Sequence, residues 1–186
     1  MFIARVLRSL CVGLVLFAPC AGLTKSIAAT TVIVIPKPDF SSMTFLVGTW
    51  SCSKQNSARP LPYTAMETFA VSPDRRWIEL TTLWNPVPWF PNKWTSHDEI
   101  TYDQSKKRWV DVEYDDIGGS GRATSPGWSG NMIVWHDPDS TPTTSGWVTT
   151  DDTMTKVSDS RVMSEWSLIN QKKHKTETEK TVCTKT

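Results

Sequence analysis

The sequence predicts an all-β protein, a single antiparallel up-and-down barrel of about nine or ten strands. Three observations predict it. From Met43 onward no window of helical length carries an apolar stripe at i, i+3, i+4 and i+7, whereas alternation with a period of two recurs. Clusters of turn-forming residues cut these alternating runs at short intervals. A chain of 186 residues that is 39% hydrophobic and carries 10 Trp has the length and the bulk for one core.

Residues 1–29 read as a secretory signal. Arg5 and Arg8 form a basic start, and Leu10 to Phe17 is an apolar run far short of the ~20 residues a membrane span needs. Cleavage is expected after small residues at Ser26-Ile27-Ala28 or Ile27-Ala28-Ala29. Phe17-Ala18-Pro19-Cys20 imitates a lipidation box only poorly. Removal of the signal takes Arg5, Arg8 and Lys25 from 20 basic residues and nothing from 19 acidic ones, turning a net charge of +1 into −2. That excludes the positive field of a nucleic-acid partner. A secreted or periplasmic location follows, with no membrane-spanning segment in the mature chain.

Residues 30–42 read as an extended leader with Pro36 and Pro38 flanking Lys37, and residues 43–186 as the barrel domain. Phe45 to Ser53 is the expected first strand. Ile78, Leu80, Thr82 and Trp84 then alternate with Trp77, Glu79 and Thr81. Val110, Val112 and Tyr114 alternate with Trp109, Asp111 and Glu113; Val162, Ser164, Trp166 and Leu168 with Met163, Glu165 and Ser167. Ser72-Pro73-Asp74, Asp103 to Lys107, Gly118 to Gly121, Asp137 to Ser140 and Gln171 to Lys175 supply the turns.

A meander without helices must deal with its exposed edges, and closure into a barrel does so by making the first and last strands neighbours. The signal carries away Cys11 and Cys20, leaving Cys52 on the first strand and Cys183 on the last, Thr176 to Thr186. A Cys52–Cys183 disulfide is therefore expected, as is usual for an even pair in an exported chain. A two-sheet sandwich is the competing architecture.

The run Phe45-Leu46-Val47-Gly48-Thr49-Trp50 resembles the opening strand of calycin-type barrels: the G-x-W of lipocalins and, more closely, the F-L-x-G-T-W of nitrobindin-like proteins. Uncharacterised bacterial secreted barrels look similar, also in Ser125-Pro126-Gly127-Trp128-Ser129-Gly130. The resemblance implies that Trp50 packs across the closed end of the barrel. Nitrobindin-like proteins continue with glycines and bind haem through a His on the final strand. Here Ser51, Cys52 and Ser53 follow Trp50, and Thr176 to Thr186 contains no His, so neither haem nor another cofactor is expected. In place of the late Arg that lipocalins set over the Trp, the last strand offers Lys180 and Lys185.

No catalytic set is expected. Gly127-Trp128-Ser129-Gly130 is not a nucleophile elbow, and nothing in the spacing joins Ser129 to His97-Asp98 or His136-Asp137. Gly118 to Gly121 lacks the Lys-Ser/Thr of a phosphate cradle. His97, His136 and His174 are scattered and no CxxC is present, so no metal centre is expected either. Asp111, Glu113, Asp115 and Asp116, as alternating strand acids, are expected to face water. Glu67, Glu79 and Glu99 are read as solvated or hydrogen-bonded. The tryptophans carry more information, since small-molecule pockets are concave and aromatic. Trp84, Trp135 and Trp166 are expected to line an interior pocket. Trp89 and Phe90, in the rigid loop Asn85 to Pro91, are expected either to flap over the barrel mouth or to plug its end. The functional expectation is non-catalytic binding of a small, partly hydrophobic molecule. The alternatives are a filled structural or interaction barrel of the cell envelope and, more remotely, an enzyme using an inward Glu or His. Nothing in the sequence sets an oligomeric state.

Overall fold

The residue pairs Phe40–Met43 and Met43–Leu46 lie three apart, the period at which a 3-10 helix brings side chains onto one line. In the computed structural model, which describes residues 35–59, 61–137, 147–170 and 172–186, Ser41–Leu46 is such a helix. All three apolar side chains are buried. The sequence expectation of a strand from Phe45 is corrected here: the turn must tuck Met43 and Leu46 under the sheet, and the strand starts only at Gly48. The signal sequence expected at residues 1–29 lies outside the described residues. Residues 36–186 are described below as one unit.

Twelve strands follow: β1 Gly48–Asn56, β2 Tyr63–Val71, β3 Ile78–Trp84, β4 Trp94–Asp103, β5 Arg108–Asp115, β6 Ser120–Ser125, β7 Trp128–Ser129, β8 Met132–Trp135, β9 Trp147–Thr149, β10 Asp152–Ser158, β11 Arg161–Asn170 and β12 Lys175–Lys185. They form one antiparallel sheet in the order β6-β5-β4-β3-β2-β1-β12-β11-β10-β8-β7, with β9 paired to β11. The count exceeds the expected nine or ten because β7 and β9 are too short to leave an alternating pattern.

The first and last strands do run side by side: β1 pairs with β12 from Trp50↔Lys185 to Asn56↔Glu179. That seam lies in the middle of the sheet. The ends of the curled sheet approach elsewhere, where Thr124 of β6 and His136, just beyond β8, exchange backbone N–H···O bonds of 2.7 Å. Cys52 stands directly opposite Cys183, and the two form a disulfide closing a loop of 131 residues. Among the described residues no helix is long and apolar enough to cross a membrane.

Antiparallel pairing sends β1, β3, β5, β8 and β11 one way and their neighbours the other. The loops after β1, β3 and β5 therefore share one end, called here the upper end, and the 3-10 helix lies at the lower. At that lower end Trp50 is fully buried and donates from Nε1 to the Leu46 carbonyl at 2.6 Å. Lys185 lies over the Trp50 ring, with Nζ 5.2 Å from the ring centroid and 2.7 Å from the Phe45 carbonyl. Gly48, at φ +125°, is needed where the chain leaves the helix: a Cβ there would stand 2.9 Å from the Lys185 side chain. Phe69, Ile78, Ile100 and Trp109 complete the apolar core with these residues.

Candidate functional site

Alternation fixes which side chains the curled sheet turns inward. On β3 these are Ile78, Leu80, Thr82 and Trp84, and on β11 Val162, Ser164, Trp166 and Leu168, as the sequence pattern predicts. On β5 the prediction is overturned. Val112 and Tyr114 are exposed, whereas Trp109 is core and Asp111 and Glu113 face the interior. The expectation that these acids face water is reversed for Asp111, while Glu113 borders the cavity and stays exposed, because the space is a cavity and not a packed apolar core. Of the three Glu residues considered, Glu67 is buried inward; Glu79 and Glu99 oppose one another on the other face of β3 and β4.

The cavity has a volume of about 680 Å³. Met43 and Leu46 contribute to its floor, and Asn85, Val87, Trp89 and Phe90 of the β3–β4 loop bound its upper end. The five aromatics expected to line a pocket, Trp84, Trp89, Phe90, Trp135 and Trp166, all stand in its wall. Trp84 stacks on Trp94 with ring centroids 4.5 Å apart and an interplanar angle of 12°, and Tyr63 lies 6.0 Å from Trp84. Trp84 Nε1 donates to Ser96 Oγ at 3.2 Å, which meets the polar requirement of a partly buried indole. The β3–β4 loop is held by paired Val87–Phe90 backbone hydrogen bonds of 2.9 Å. Trp89 meets Tyr63 edge-on at 6.1 Å, Phe90 meets Trp94 at 5.9 Å, and the Arg59 guanidinium lies 5.4 Å over the Trp89 ring.

Sequence reasoning missed the charge of this interior. Glu67, Asp98, Asp111, Glu113, Asp152 and Glu179 all line the cavity. Lys54 is the cation set among them: its Nζ is 3.1 Å from Glu67 Oε1 and 4.3 Å from the centroid of the Trp84 ring. Tyr63 donates its hydroxyl to Glu179, and burial together with that carboxylate pushes its phenol far above the ordinary range. Burial also raises Asp111 and Asp152 to about 7, with Glu113 and Asp152 adding to the effect on Asp111. Burial, then the charges of Asp111, Glu113 and Glu67, raise Asp98 well above the usual carboxylate range, and burial raises Glu113. Asp111 Oδ1 and Asp152 Oδ1 are buried without a protein hydrogen-bond partner, as is Trp128 Nε1. The alternation on β5 announces this acidic side, once the face it occupies is known to be the inner one.

The remaining chemistry lies elsewhere. His97 stacks on Tyr114, which is exposed, and His136 pairs with Asp151 through Nδ1 at 2.8 Å, both about half exposed. Ser129 is exposed, and among the described residues no hydrogen bond joins it to either histidine. Gly118 and Gly119 form the β5–β6 turn, capped by Asp115 Oδ1 on the Gly119 N–H at 2.6 Å. Among the described residues the trio of potential metal ligands that converge is Cys52, Glu67 and Cys183, and the disulfide removes its two thiolates.

No family model and no curated protein sequence matches the chain. Among solved structures it is similar to a DUF3598-family protein of unknown function from Nostoc punctiforme PCC 73102, at 13% identity with a TM-score of 0.38. That match covers 76% of this chain, which spans about half (48%) of the length of that protein. The fold and the cavity define an antiparallel curled sheet that forms a half-barrel around a space of about 680 Å³.

Proposed function

We propose that the protein is an exported, non-catalytic carrier or receptor that holds a small, partly hydrophobic molecule inside its barrel. The observation that carries this reading is the interior of about 680 Å³ walled by Trp84, Trp135 and Trp166 and bounded above by Trp89 and Phe90. That volume falls within the ~300–1,000 Å³ of small-molecule sites, and a barrel filled by its own side chains would have no such space. Export is supported by the basic and apolar pattern of residues 1–29 and by the Cys52–Cys183 bridge, a bond suited to oxidising compartments. A calycin-type reading is supported by Trp50 across the lower end with Lys185 over its ring, the place of the lipocalin Arg. Native mass spectrometry of protein purified from its own envelope tests the proposal. A stoichiometric small-molecule adduct is the expected result; an apo mass, together with failure of a panel of hydrophobic probes to bind, would overturn it.

A further inference from the structure

The interior is more acidic than a site for a neutral apolar molecule requires. Six carboxylates, Glu67, Asp98, Asp111, Glu113, Asp152 and Glu179, surround one inward lysine, while Asp137 and the exposed Arg122 at the rim offset one another in sign. Gathering like charges where water is scarce costs stability. A second observation turns this cluster into a site. Asp111 Oδ1 and Asp152 Oδ1, on β5 and β10, are buried in the wall without a protein donor. Both carboxylates also line the cavity, so a side-chain rotation would turn that spare acceptor capacity towards an entering group that brings its own N–H bonds.

Lys54 shows what the cavity does with a cation. Its ammonium is held between a carboxylate, Glu67 at 3.1 Å, and an aromatic face, Trp84 at 4.3 Å. The same two partners recur around the remaining space, acids in the wall and Trp84, Trp94 and Trp166 towards the upper end. Carboxylate and ring face together are the combination that recognises an alkylammonium. A bare metal ion fits less well. Among the described residues no three oxygens of these cavity acids lie within 4.8 Å of one another, so they do not close on a point of metal-ion size.

We propose that the molecule held in the barrel is an organic amine, its ammonium bound by Asp111 and Asp152 and its apolar body lying against the aromatic wall. This rests on the reading of the cavity as a binding site and specifies the ligand for it. The test uses three probes with one phenyl body, 4-phenylbutylamine, 4-phenylbutanol and 4-phenylbutyrate, titrated calorimetrically into the mature protein at pH 8, with calcium and magnesium chloride as separate titrants. The amine is expected to bind about tenfold or more tightly than the alcohol, and the acid most weakly. Asp111→Asn and Asp152→Asn should each remove most of that preference, lowering amine affinity far more than alcohol affinity; Asp98→Asn, which removes a neighbouring cavity charge, repeats the test from a third strand should either fail to fold. Equal or tighter binding of the alcohol would overturn the amine assignment and leave the cavity reading intact. Stoichiometric metal binding that is lost in the Asp variants would overturn it in favour of a metal site. Binding of none of the probes would count against the cavity reading itself.

Discussion

Consider the ligand-free protein taken from pH 4.5 to pH 8. Asp111 and Asp152 rise from 3.8 to about 7 on folding because burial opposes their charge. Below about pH 4 both are protonated in the folded and the unfolded chain and contribute nothing to pH dependence. Between about 4 and 7 the unfolded chain has released protons that the folded chain retains, so stability falls as pH rises. Above about 7 both are ionised in the fold, and the loss is complete. Moving from 3.8 to about 7 corresponds to about 4 kcal/mol for either group alone. The shift of Asp111 already contains the charge of Asp152, so the pair together is worth less than twice that, of the order of 5 kcal/mol.

For a chain of this size such a loss lowers Tm by about 10 °C or more between pH 4.5 and 8. The carboxylates on exposed turns, Asp39, Asp74, Asp103 and Asp159, are held below 3.8 by hydrogen bonds to Ser41, Ser72, Ser105 and Lys156. Their stabilisation is lost only as pH falls through those lowered values, so it leaves the window above 4.5 untouched. The assay is the thermal midpoint by circular dichroism across this range, for the wild type and for the double variant Asp111→Asn/Asp152→Asn. Equal stability near pH 4.5 and a gain of several degrees for the variant at pH 8 are expected. A wild-type midpoint that is flat or rising from pH 5 to 8, or a variant with the wild-type slope, would refute the inward placement and burial of these acids.

Other outcomes follow from the same geometry. Trp89→Ala and Phe90→Ala should weaken probe binding in calorimetry with little change in Tm if the β3–β4 loop is a flap; unchanged affinity with lowered Tm identifies it as a plug. Trp50→Ala removes a fully buried indole and its 2.6 Å bond to Leu46. It should cost about 3–5 kcal/mol in urea unfolding, and Trp50→Phe, which keeps a ring, clearly less. Replacing both Cys52 and Cys183 by Ala opens a 131-residue loop and should cost about 4 to 5 kcal/mol on chain-entropy grounds. A cost below about 1 kcal/mol would mean that the β1–β12 pairing persists in the unfolded ensemble.

Most strands were legible because alternation and turn chemistry are local, and the β1–β12 pairing followed from the need to cover strand edges. What alternation cannot report is which of two faces points inward. On β3 and β11 the inner face is the apolar one, so the alternation puts Trp84 and Trp166 on the face that lines the cavity. On β5 the usual preference for apolar burial selects Val112 and Tyr114, and the curled sheet turns Asp111 inward instead, with Glu113 at the border of the cavity. The 3-10 helix escaped detection because its six residues are too few for a helical stripe, although Phe40, Met43 and Leu46 carry its period. Lys185 was one of two candidates to stand over Trp50. The register decides between them, since Lys185 pairs with Trp50 and Lys180 with Gln55.

The division of labour along the barrel explains how so acidic an interior is tolerated. The lower end is covalently bridged and filled by Trp50, Met43, Leu46, Ile78 and Ile100, and the carboxylate that stands against the bridge, Glu67, is paired with Lys54. Asp98, Asp111, Glu113 and Asp152 come from the walls around the cavity, outside the apolar cluster, so a change in their charge acts first on the cavity wall. A protonated amine entering this space would supply the donors that Asp111 and Asp152 lack and hold both in their ionised form. It would thereby restore at neutral pH the stability that the empty barrel loses, which predicts a ligand-induced rise in Tm that is large at pH 8 and nearly absent at pH 4.5. The binding energy and the pH dependence of the empty protein are on this account two measurements of one electrostatic cost. Amine probes that stabilise the protein equally at both pH values would separate them and break the argument.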